Sequence, residues 1–326
     1  MPTSRRPLPE ELGPIFTVAD AREQGIGPSR LSGGDLAAPF HGMRVRLSDS
    51  VTAGSSGDGG TDAVTDDPRR FAHLQRMQEF LPVLGSTAFF CGPSAAFYWR
   101  IPLPPRDWTD LHVGRYRPNR PPRRAGVQGH KFTTGFVTVV EIDGLRLTDP
   151  ASTWATLGVH LNQDDLTAAA DRILRVPRYP GGFQIIDTTP LAVRADLEQA
   201  ADRKGRPAAP KLRRALADAR TGSSSPPETR IRLLIRDAGL REPVLDHDVY
   251  DGRGRWLGCS ELAYPDLKIA IEYESDGHLT REQLQRDIDK YQAYAEAGWQ
   301  TVRLTSQHVF HEPAEAIRRI RSAVNR

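Results

Sequence analysis

The sequence predicts an α/β protein, of the α+β multidomain type, and three observations point to this fold class. Its 326 residues are enough for two or three domains that each bury a core. Between residues 268 and 274 apolar and polar side chains alternate with the period of a half-buried strand. Between residues 281 and 297 apolar residues recur at helical spacing instead: Leu284, Ile288, Tyr291 and Ala295.

Composition limits the class of protein. The 44 Lys and Arg residues nearly balance the 41 Asp and Glu residues, so the net charge of +3 does not by itself identify a polyanion partner. The two cysteines, Cys91 and Cys259, have neither paired nor metal-binding spacing, which favours reduced thiols. No signal peptide or apolar run of membrane-spanning length is present. We therefore expect a soluble, cytoplasmic protein with no membrane partner.

Residues 1–48 predict a small helical unit with a basic hairpin. Thr17 can cap a helix that runs through Glu23, with Asp20 completing an approximate capping box. A glycine-containing turn follows, and Pro28 opens a second short helix. Helix, turn, helix and basic wing together predict a winged helix-turn-helix that binds DNA. The side chains expected to reach DNA are Arg30, Arg44 and Arg46.

This region resembles the N-terminal domain of AbiEi-type antitoxins, which are transcriptional regulators. The residues alone also allow a module that makes no DNA contact. Residues 49–67 contain Gly, Ser, Thr and Asp with almost no large apolar side chain, so we expect a flexible linker there. Residues 68–220 predict a mixed α/β region, similar in order and spacing to the middle portion of the same proteins.

Two basic segments lie in this middle region. The proline-rich run Arg115–Arg124 could touch phosphate, but a solvated loop is the favoured interpretation. Residues 203–220 predict a basic turn and helix with an apolar side formed by Leu212 and Leu216. Charged residues in such a pattern usually form a solvent-exposed helix face. Their position beside the C-terminal domain nevertheless favours contact with phosphate. The candidate phosphate contacts are Lys211, Arg213 and Arg214.

Residues 227–326 contain a group of carboxylates. A turn at Tyr264–Leu267 would fold a hairpin that brings Glu261 beside Glu272, and Glu274 is expected on the same strand face as Glu272. Three converging carboxylates cost free energy unless a cation or a proton neutralises them. The order helix, hairpin, strand, helix, strand, helix predicts a small α/β core.

From Glu228 to the C-terminus, about a third of the chain, the sequence resembles the PD-(D/E)XK nuclease superfamily, and within it the Vsr-like endonucleases. The residues at matching places are Glu261, Glu272, Glu274, Gly277, His278, Gln283, Asp287, Gly298 and Trp299. The resemblance implies a restriction-endonuclease-like α/β core that hydrolyses DNA phosphodiester bonds with Mg²⁺ or Mn²⁺.

The same resemblance implies roles for the candidate catalytic residues. Glu261 and Glu272 are the expected metal ligands, because Mg²⁺ prefers oxygen and usually keeps several waters. Glu274 stands where the superfamily often has lysine, and His278 is the expected substitute for it. Asp287 would support the site from its helix. Glu228 matches an acid of the first helix, although capping of that helix is a sufficient explanation for it.

A second function fits the same residues. Glutamate at position 261, commonly aspartate in these families, and the missing lysine suit a catalytically inactive, antitoxin-type regulator that keeps the nuclease fold as a scaffold. RNA as substrate, a homodimer and a toxin partner all remain open.

Overall fold

The protein is a mixed α/β chain, as the sequence predicts, and its described residues form three β-sheets. The computed structural model describes residues 7–47, 67–183, 189–275 and 281–325. The predicted linker lies outside these residues except for Asp67. No helix in the described ranges combines the length and the apolar character needed to cross a bilayer.

The chain divides into two compact units. The first comprises Met1–Arg100 and Pro105–Thr156, and the second comprises Ile101–Pro104 and Leu157–Arg326. The division at residue 156 falls inside the region 68–220, which the sequence alone treats as one. The helices after this point therefore belong with the C-terminal sheet.

The first unit begins with two short helices and a small sheet. The helices are α1 (Val18–Glu23) and α2 (Pro28–Leu31), and the strands are β1 (Ile15–Thr17), β2 (Leu36–Ala37) and β3 (Met43–Arg46). β3 lies between β1 and β2 and is antiparallel to both. The Thr17 hydroxyl accepts the backbone N–H of Asp20 at 3.0 Å and caps α1, as the sequence predicts.

A five-stranded sheet forms the rest of the first unit. Its strands are β4 (Ala88–Phe90), β5 (Leu111–Tyr116), β6 (Val127–Phe132), β7 (Val139–Ile142) and β8 (Leu145–Thr148), in the spatial order β6-β5-β4-β8-β7. Helices α3 (Pro68–Leu84) and α4 (Gly92–Tyr98) belong to this unit. Phe80, Phe90 and Leu147 are fully buried in its core, and β6 is an edge strand.

A bundle of helices opens the second unit. They are α5 (Pro150–Leu157), which spans the division, α6 (Gln163–Leu174), α7 (Arg194–Ala201), α8 (Ala209–Asp218) and α9 (Pro226–Asp237). Arg232 of α9 donates to Asp171 of α6 at 2.8 Å, and both side chains are almost fully buried. α9, the first helix of the predicted nuclease domain, is thereby joined to the helices that precede it.

A four-stranded sheet carries the candidate site. Its strands are β9 (Val244–Tyr250), β10 (Trp256–Tyr264), β11 (Ile269–Glu274) and β12 (Gln300–Thr305), in the order β12-β11-β10-β9. The hairpins β9–β10 and β10–β11 are antiparallel, whereas β12 runs parallel to β11. Helix α10 (Arg281–Glu296) connects these parallel strands, and α11 (Pro313–Val324) follows β12.

Both faces of this sheet are covered. Ile269 and Ile271 belong to one apolar cluster with residues of α9 and α11. Ala270 belongs to the other, with Tyr294 of α10. The predicted alternation along β11 is therefore present, but the buried stripe predicted for α10 is wrong in part: Leu284 and Ile288 are about half exposed. The side of α10 that packs on the sheet carries Tyr294 instead. Which side of a helix is buried depends on how the helix is placed on the sheet.

Candidate active site

The site forms where β10 and β11 separate. The two strands pair up to Leu262 and Ile271, so Glu261 and Glu272 are the next residues along each strand. Here a side chain takes the place of a backbone hydrogen-bond acceptor between the strands. Oε2 of Glu261 accepts the backbone N–H of Tyr273 at 2.8 Å. The hairpin predicted from the Tyr264–Leu267 turn thus brings the two glutamates into the same neighbourhood.

Burial and mutual repulsion raise the pKa values of these carboxyl groups. Burial raises the pKa of Glu261 well above its ordinary value, and the charges of Glu228 and Glu272 raise it further. Glu272 is 3% exposed, and burial raises its pKa although the Lys290 ammonium opposes this. Three carboxyl groups therefore lie close enough to influence one another, which is costly when all are ionised.

Lys290 is a cation beside the carboxylates that sequence reasoning missed. Its Nζ donates to Oε2 of Glu272 at 3.0 Å, from α10. A lysine is therefore present beside Glu272, although none stands at position 274. Lys290 and Glu272 are 18 residues apart, so no local pattern in the sequence could have found this contact.

Gly258 lets α10 approach the sheet at this place. A Cβ at Gly258 would lie 3.3 Å from Cγ of Lys290 and 3.1 Å from Oη of Tyr294. Any larger side chain would press on both residues. The glycine of β10 therefore contributes to the position of Lys290.

One oxygen of the site is left without a partner. Oε1 of Glu272 is buried and forms no hydrogen bond within the described residues, and the same holds for Oη of Tyr294. A buried, unpartnered carboxylate oxygen is unusual, because each such atom loses its hydration. An additional cation or donor beside Glu272 would compensate this loss.

Glu228 lies at the start of α9 and close enough to Glu261 to act on it. Its carboxylate accepts Ser224 N at 2.8 Å and Ser225 Oγ at 2.9 Å, so it ties the first turn of α9 to the chain before it. It is also one of the charges that raise the pKa of Glu261. Burial, opposed by these hydrogen bonds, raises the pKa of Glu228 to about 7.

Glu274 lies near enough to Glu272 for its charge to raise the pKa of that carboxyl, and it has partners of its own. Its Oε1 accepts Arg303 Nε at 2.6 Å and Tyr291 Oη at 2.8 Å. Burial would raise the pKa of Glu274, but these two hydrogen bonds outweigh burial and lower it. Glu274 is thus neutralised within the protein by Arg303, whereas its predicted role in catalysis stays a prediction.

The remaining candidates fall into two groups. Asp287 is half-buried on α10, where its charge acts on Tyr291 and Arg303, the two residues that donate to Glu274. His278 lies outside the described residues, so its predicted role stays a prediction. Among the residues that are described, no group of three or more His, Cys, Asp or Glu side chains is arranged to hold a metal ion.

A second ionic cluster lies on β9 and β10, and the sequence did not indicate it. Arg178 donates to Asp246 Oδ2 and to Asp248 Oδ2, both at 2.6 Å. The Cys259 thiol donates to Asp246 Oδ1 at 2.9 Å. Asp246 has a left-handed backbone (φ +52°) and its charge acts on Glu228, so this cluster borders the carboxylates.

The basic residues predicted to contact DNA are mostly occupied within the protein. Arg30 forms two hydrogen bonds with Asp35, at 3.0 and 2.6 Å. Arg44 and Arg46 donate to backbone carbonyls, as does Lys211, whose Nζ lies 2.7 Å from the Leu161 oxygen. Arg213 pairs with Asp202, and Arg214 is exposed.

The raised pKa of Glu228 predicts that the protein loses stability as pH rises towards neutrality. In the unfolded chain a glutamate has a pKa of about 4.3, so folding stabilises the protonated form. That contribution is present below the unfolded pKa and is lost as pH rises through about 7. The free energy of unfolding should fall by on the order of 2 kcal/mol between pH 4.5 and pH 8.

Urea denaturation of the parent, of Glu228→Gln and of Glu282→Gln at both pH values measures this effect. Glu228→Gln should show a flatter pH dependence, because its amide does not titrate. Glu282 is exposed on α10, so Glu282→Gln should behave as the parent does. Equal slopes for the parent and Glu228→Gln would contradict the prediction.

Comparison with known proteins finds two similar proteins, and the description of neither states a function. No family model matches the chain, and no solved structure matches it. Two relatives from Mycobacterium tuberculosis, both described as uncharacterized proteins, are similar: Rv2248 from strain H37Rv and MT2308 from strain CDC 1551. Each is 28% identical over 187 residues, which are 57% of this chain and 64% of the relative. The match thus spans less than two thirds of the relatives' length.

Proposed function

We propose that the C-terminal region is a Vsr-like endonuclease domain that hydrolyses DNA phosphodiester bonds with Mg²⁺ or Mn²⁺, and that residues 1–48 are a winged helix-turn-helix that binds DNA. The observation that carries the proposal is the contact between Lys290 and Glu272 beside Glu261. An acid pair next to one lysine is the combination that the resemblance to PD-(D/E)XK nucleases implies for such hydrolysis.

The residues present fit a divalent cation. Glu272 and Glu261 would hold it, since Oε1 of Glu272 has no hydrogen-bond partner in the described chain and the repulsion at Glu261 would be relieved. Two carboxylates suffice, because Mg²⁺ completes its coordination with water and substrate oxygens. When bound, the ion would act as a Lewis acid and lower the pKa of a coordinated water.

The protein's own groups supply the remaining chemistry. The Lys290 ammonium, 3.0 Å from Glu272 Oε2, would stabilise the negative charge that develops on the scissile phosphate. Glu228, with a pKa of about 7, can hold or release a proton near neutral pH. The hydrogen bond from Tyr273 N orients the Glu261 carboxylate.

Two further observations support the proposal. The order strand, strand, helix, strand, here β10-β11-α10-β12, is the order that the Vsr-like resemblance implies. The strand, two helices and two strands between Ile15 and Arg46 suit a winged helix-turn-helix.

Cleavage of DNA tests the function directly. Purified protein is incubated with supercoiled, linear and mismatched DNA, and with RNA, in Mg²⁺, Mn²⁺ or EDTA. Metal-dependent cleavage is expected for the parent and for Glu296→Gln, whose side chain is exposed at the end of α10. Glu272→Gln should reduce it by at least about 100-fold, because a ligand is lost. Cleavage that Glu272→Gln leaves unchanged would refute the proposal.

Metal binding can be measured without substrate. Millimolar Mg²⁺ at pH 8 should raise the midpoint of thermal unfolding of the parent, because the ion binds the folded carboxylates and not the unfolded chain. Glu272→Gln should lose this stabilisation, and Glu296→Gln should keep it. An equal response of all three proteins would exclude Glu272 as a ligand.

One set of observations favours a second candidate, the catalytically inactive, antitoxin-type regulator. Lys290 neutralises Glu272 and Arg303 neutralises Glu274, so the fold satisfies much of its acidic charge internally. Salt-sensitive binding to the DNA upstream of its own gene, with no cleavage in Mg²⁺ or Mn²⁺, would favour this function.

A further inference from the structure

The first unit contains a stretch with uncompensated positive charge. Between Asp110 and Glu141 the chain has no acidic residue. The basic residues in this interval are Arg115, Arg117, Arg120, Arg123, Arg124 and Lys131. We call them the β5–β6 basic cluster, because they lie on these two strands and the loop that connects them.

The structure places several of these residues on one side of the sheet edge. Arg115 and Lys131 are neighbours in the parallel register of β5 and β6. A Cβ at Gly129, two residues before Lys131 and on the same face, would lie 2.5 Å from the Pro122 carbonyl oxygen and 2.8 Å from Pro121 Cβ. The loop residues on either side of these prolines, Arg120 and Arg123, are therefore held over the face that bears Lys131.

The loop is fixed by the fold rather than free in solvent. Arg117 N donates to the Phe132 carbonyl at 2.8 Å, and the Arg124 guanidinium donates to the His41 carbonyl at 2.7 Å. Proline fixes φ at two further positions, Pro121 and Pro122. The cations are thus presented in a defined arrangement, which reduces the entropy lost when a partner binds.

Four members of the cluster have no counterion in the described chain. Arg117, Arg120, Arg123 and Lys131 are exposed, and none pairs with a described Asp or Glu. Many exposed arginines elsewhere are paired, such as Arg213 with Asp202. Like charges held side by side repel one another, so this arrangement costs free energy unless an anion binds.

We propose that the β5–β6 basic cluster is a DNA-backbone contact surface of the first unit, additional to the winged helix-turn-helix. Its four unpaired cations suit the evenly repeated phosphates of DNA, which bind through charge without reading sequence. No large apolar side chain is exposed between residues 111 and 132, all of which are described, which disfavours a protein interface or membrane insertion. The identity of the polyanion as DNA rests on the proposed function, whereas the surface itself does not depend on cleavage.

Binding of the full-length protein to a fluorescent 25-base-pair duplex, followed by anisotropy in EDTA at several salt concentrations, tests this surface. The variant Arg120→Gln/Arg123→Gln/Lys131→Gln should bind on the order of tenfold more weakly at 100 mM salt. Its plot of log K against log salt should lose a slope of about 2–3, or about 0.9 per phosphate contact.

The matched control, Arg253→Gln/Arg318→Gln/Arg319→Gln, removes three exposed cations of the second unit and lowers the net charge equally. It should retain the parental slope. The single charge reversal Arg123→Glu should weaken binding too, and it provides a second test if the triple variant folds poorly.

Three results would overturn the inference: unchanged binding by the loop variants, equal loss in the matched control, or loop-dependent binding to phosphatidylserine vesicles that exceeds binding to DNA. Because EDTA prevents metal-dependent hydrolysis, this experiment is independent of cleavage. Normal binding with no cleavage in Mg²⁺ would count against the proposed nuclease and leave the surface intact.

Discussion

Replacing Lys290 by methionine is expected to lower metal-dependent DNA cleavage by about 100- to 1,000-fold, because the charge that would stabilise the transition state is removed. The ammonium lies 3.0 Å from Glu272 Oε2, and its charge opposes the rise in the pKa of that buried carboxyl. Without it the pKa of Glu272 should rise further. The acidic limb of the pH–rate profile should therefore move to higher pH.

A matched variant separates this effect from general loss of lysine. Lys268 lies in the same unit, where its Nζ donates to the Ala297 carbonyl at 3.1 Å, so Lys268→Met should keep parental cleavage. Lys290→Arg should retain part of the activity, since it restores the charge with another geometry. Measured rates and pH profiles of Lys290→Met equal to those of the parent would exclude a role for Lys290.

Replacing Arg232 by methionine is expected to reduce the free energy of unfolding by about 3–5 kcal/mol, because it leaves a buried carboxylate without its cation. Arg232 donates to Asp171 Oδ2 at 2.8 Å and to the Asp218 carbonyl at 2.7 Å. The Asp171 and Arg232 side chains are 1% and 2% exposed. Thr229 also donates to this carboxylate at 2.8 Å, so the loss disturbs the junction between α6 and α9.

Urea denaturation followed by circular dichroism measures this loss. Arg236, one turn later on α9, is 42% exposed and pairs with Asp218 at 2.5 Å, so Arg236→Met should cost about 1 kcal/mol or less. The double variant Asp171→Asn/Arg232→Met should be more stable than Arg232→Met, since no uncompensated charge remains. A cost for Arg232→Met no larger than that for Arg236→Met would show that the buried pair is not needed.

Much of the second unit follows from local rules. Helix α11 begins with a proline, Pro313, and α10 ends before Gly298, which has a positive φ. Glu261 and Glu272 become neighbours because the turn after Tyr264 sets the register of the hairpin. These features involve residues close in sequence, so short patterns determine them.

The partners of the charged side chains could not be found in this way. Lys290 and Glu272 are 18 residues apart, and Arg178 and Asp246 are 68 apart. No periodicity relates such positions, because each contact requires a helix or loop to be docked on the sheet. The same reason explains why Leu284 and Ile288 of α10 were expected to be buried.

The amino-acid sequence by itself determined the fold class, the ends of many helices, the alternation of β11 and the acidic pair at its hairpin. Only the tertiary structure decided which cation pairs with each carboxylate. It also decided which basic residues are bonded within the protein and which are available to bind a polyanion. The physical reason is the separation along the chain. Local hydrogen bonding and side-chain periodicity involve residues a few positions apart, whereas charges pair between elements that packing of the core brings together.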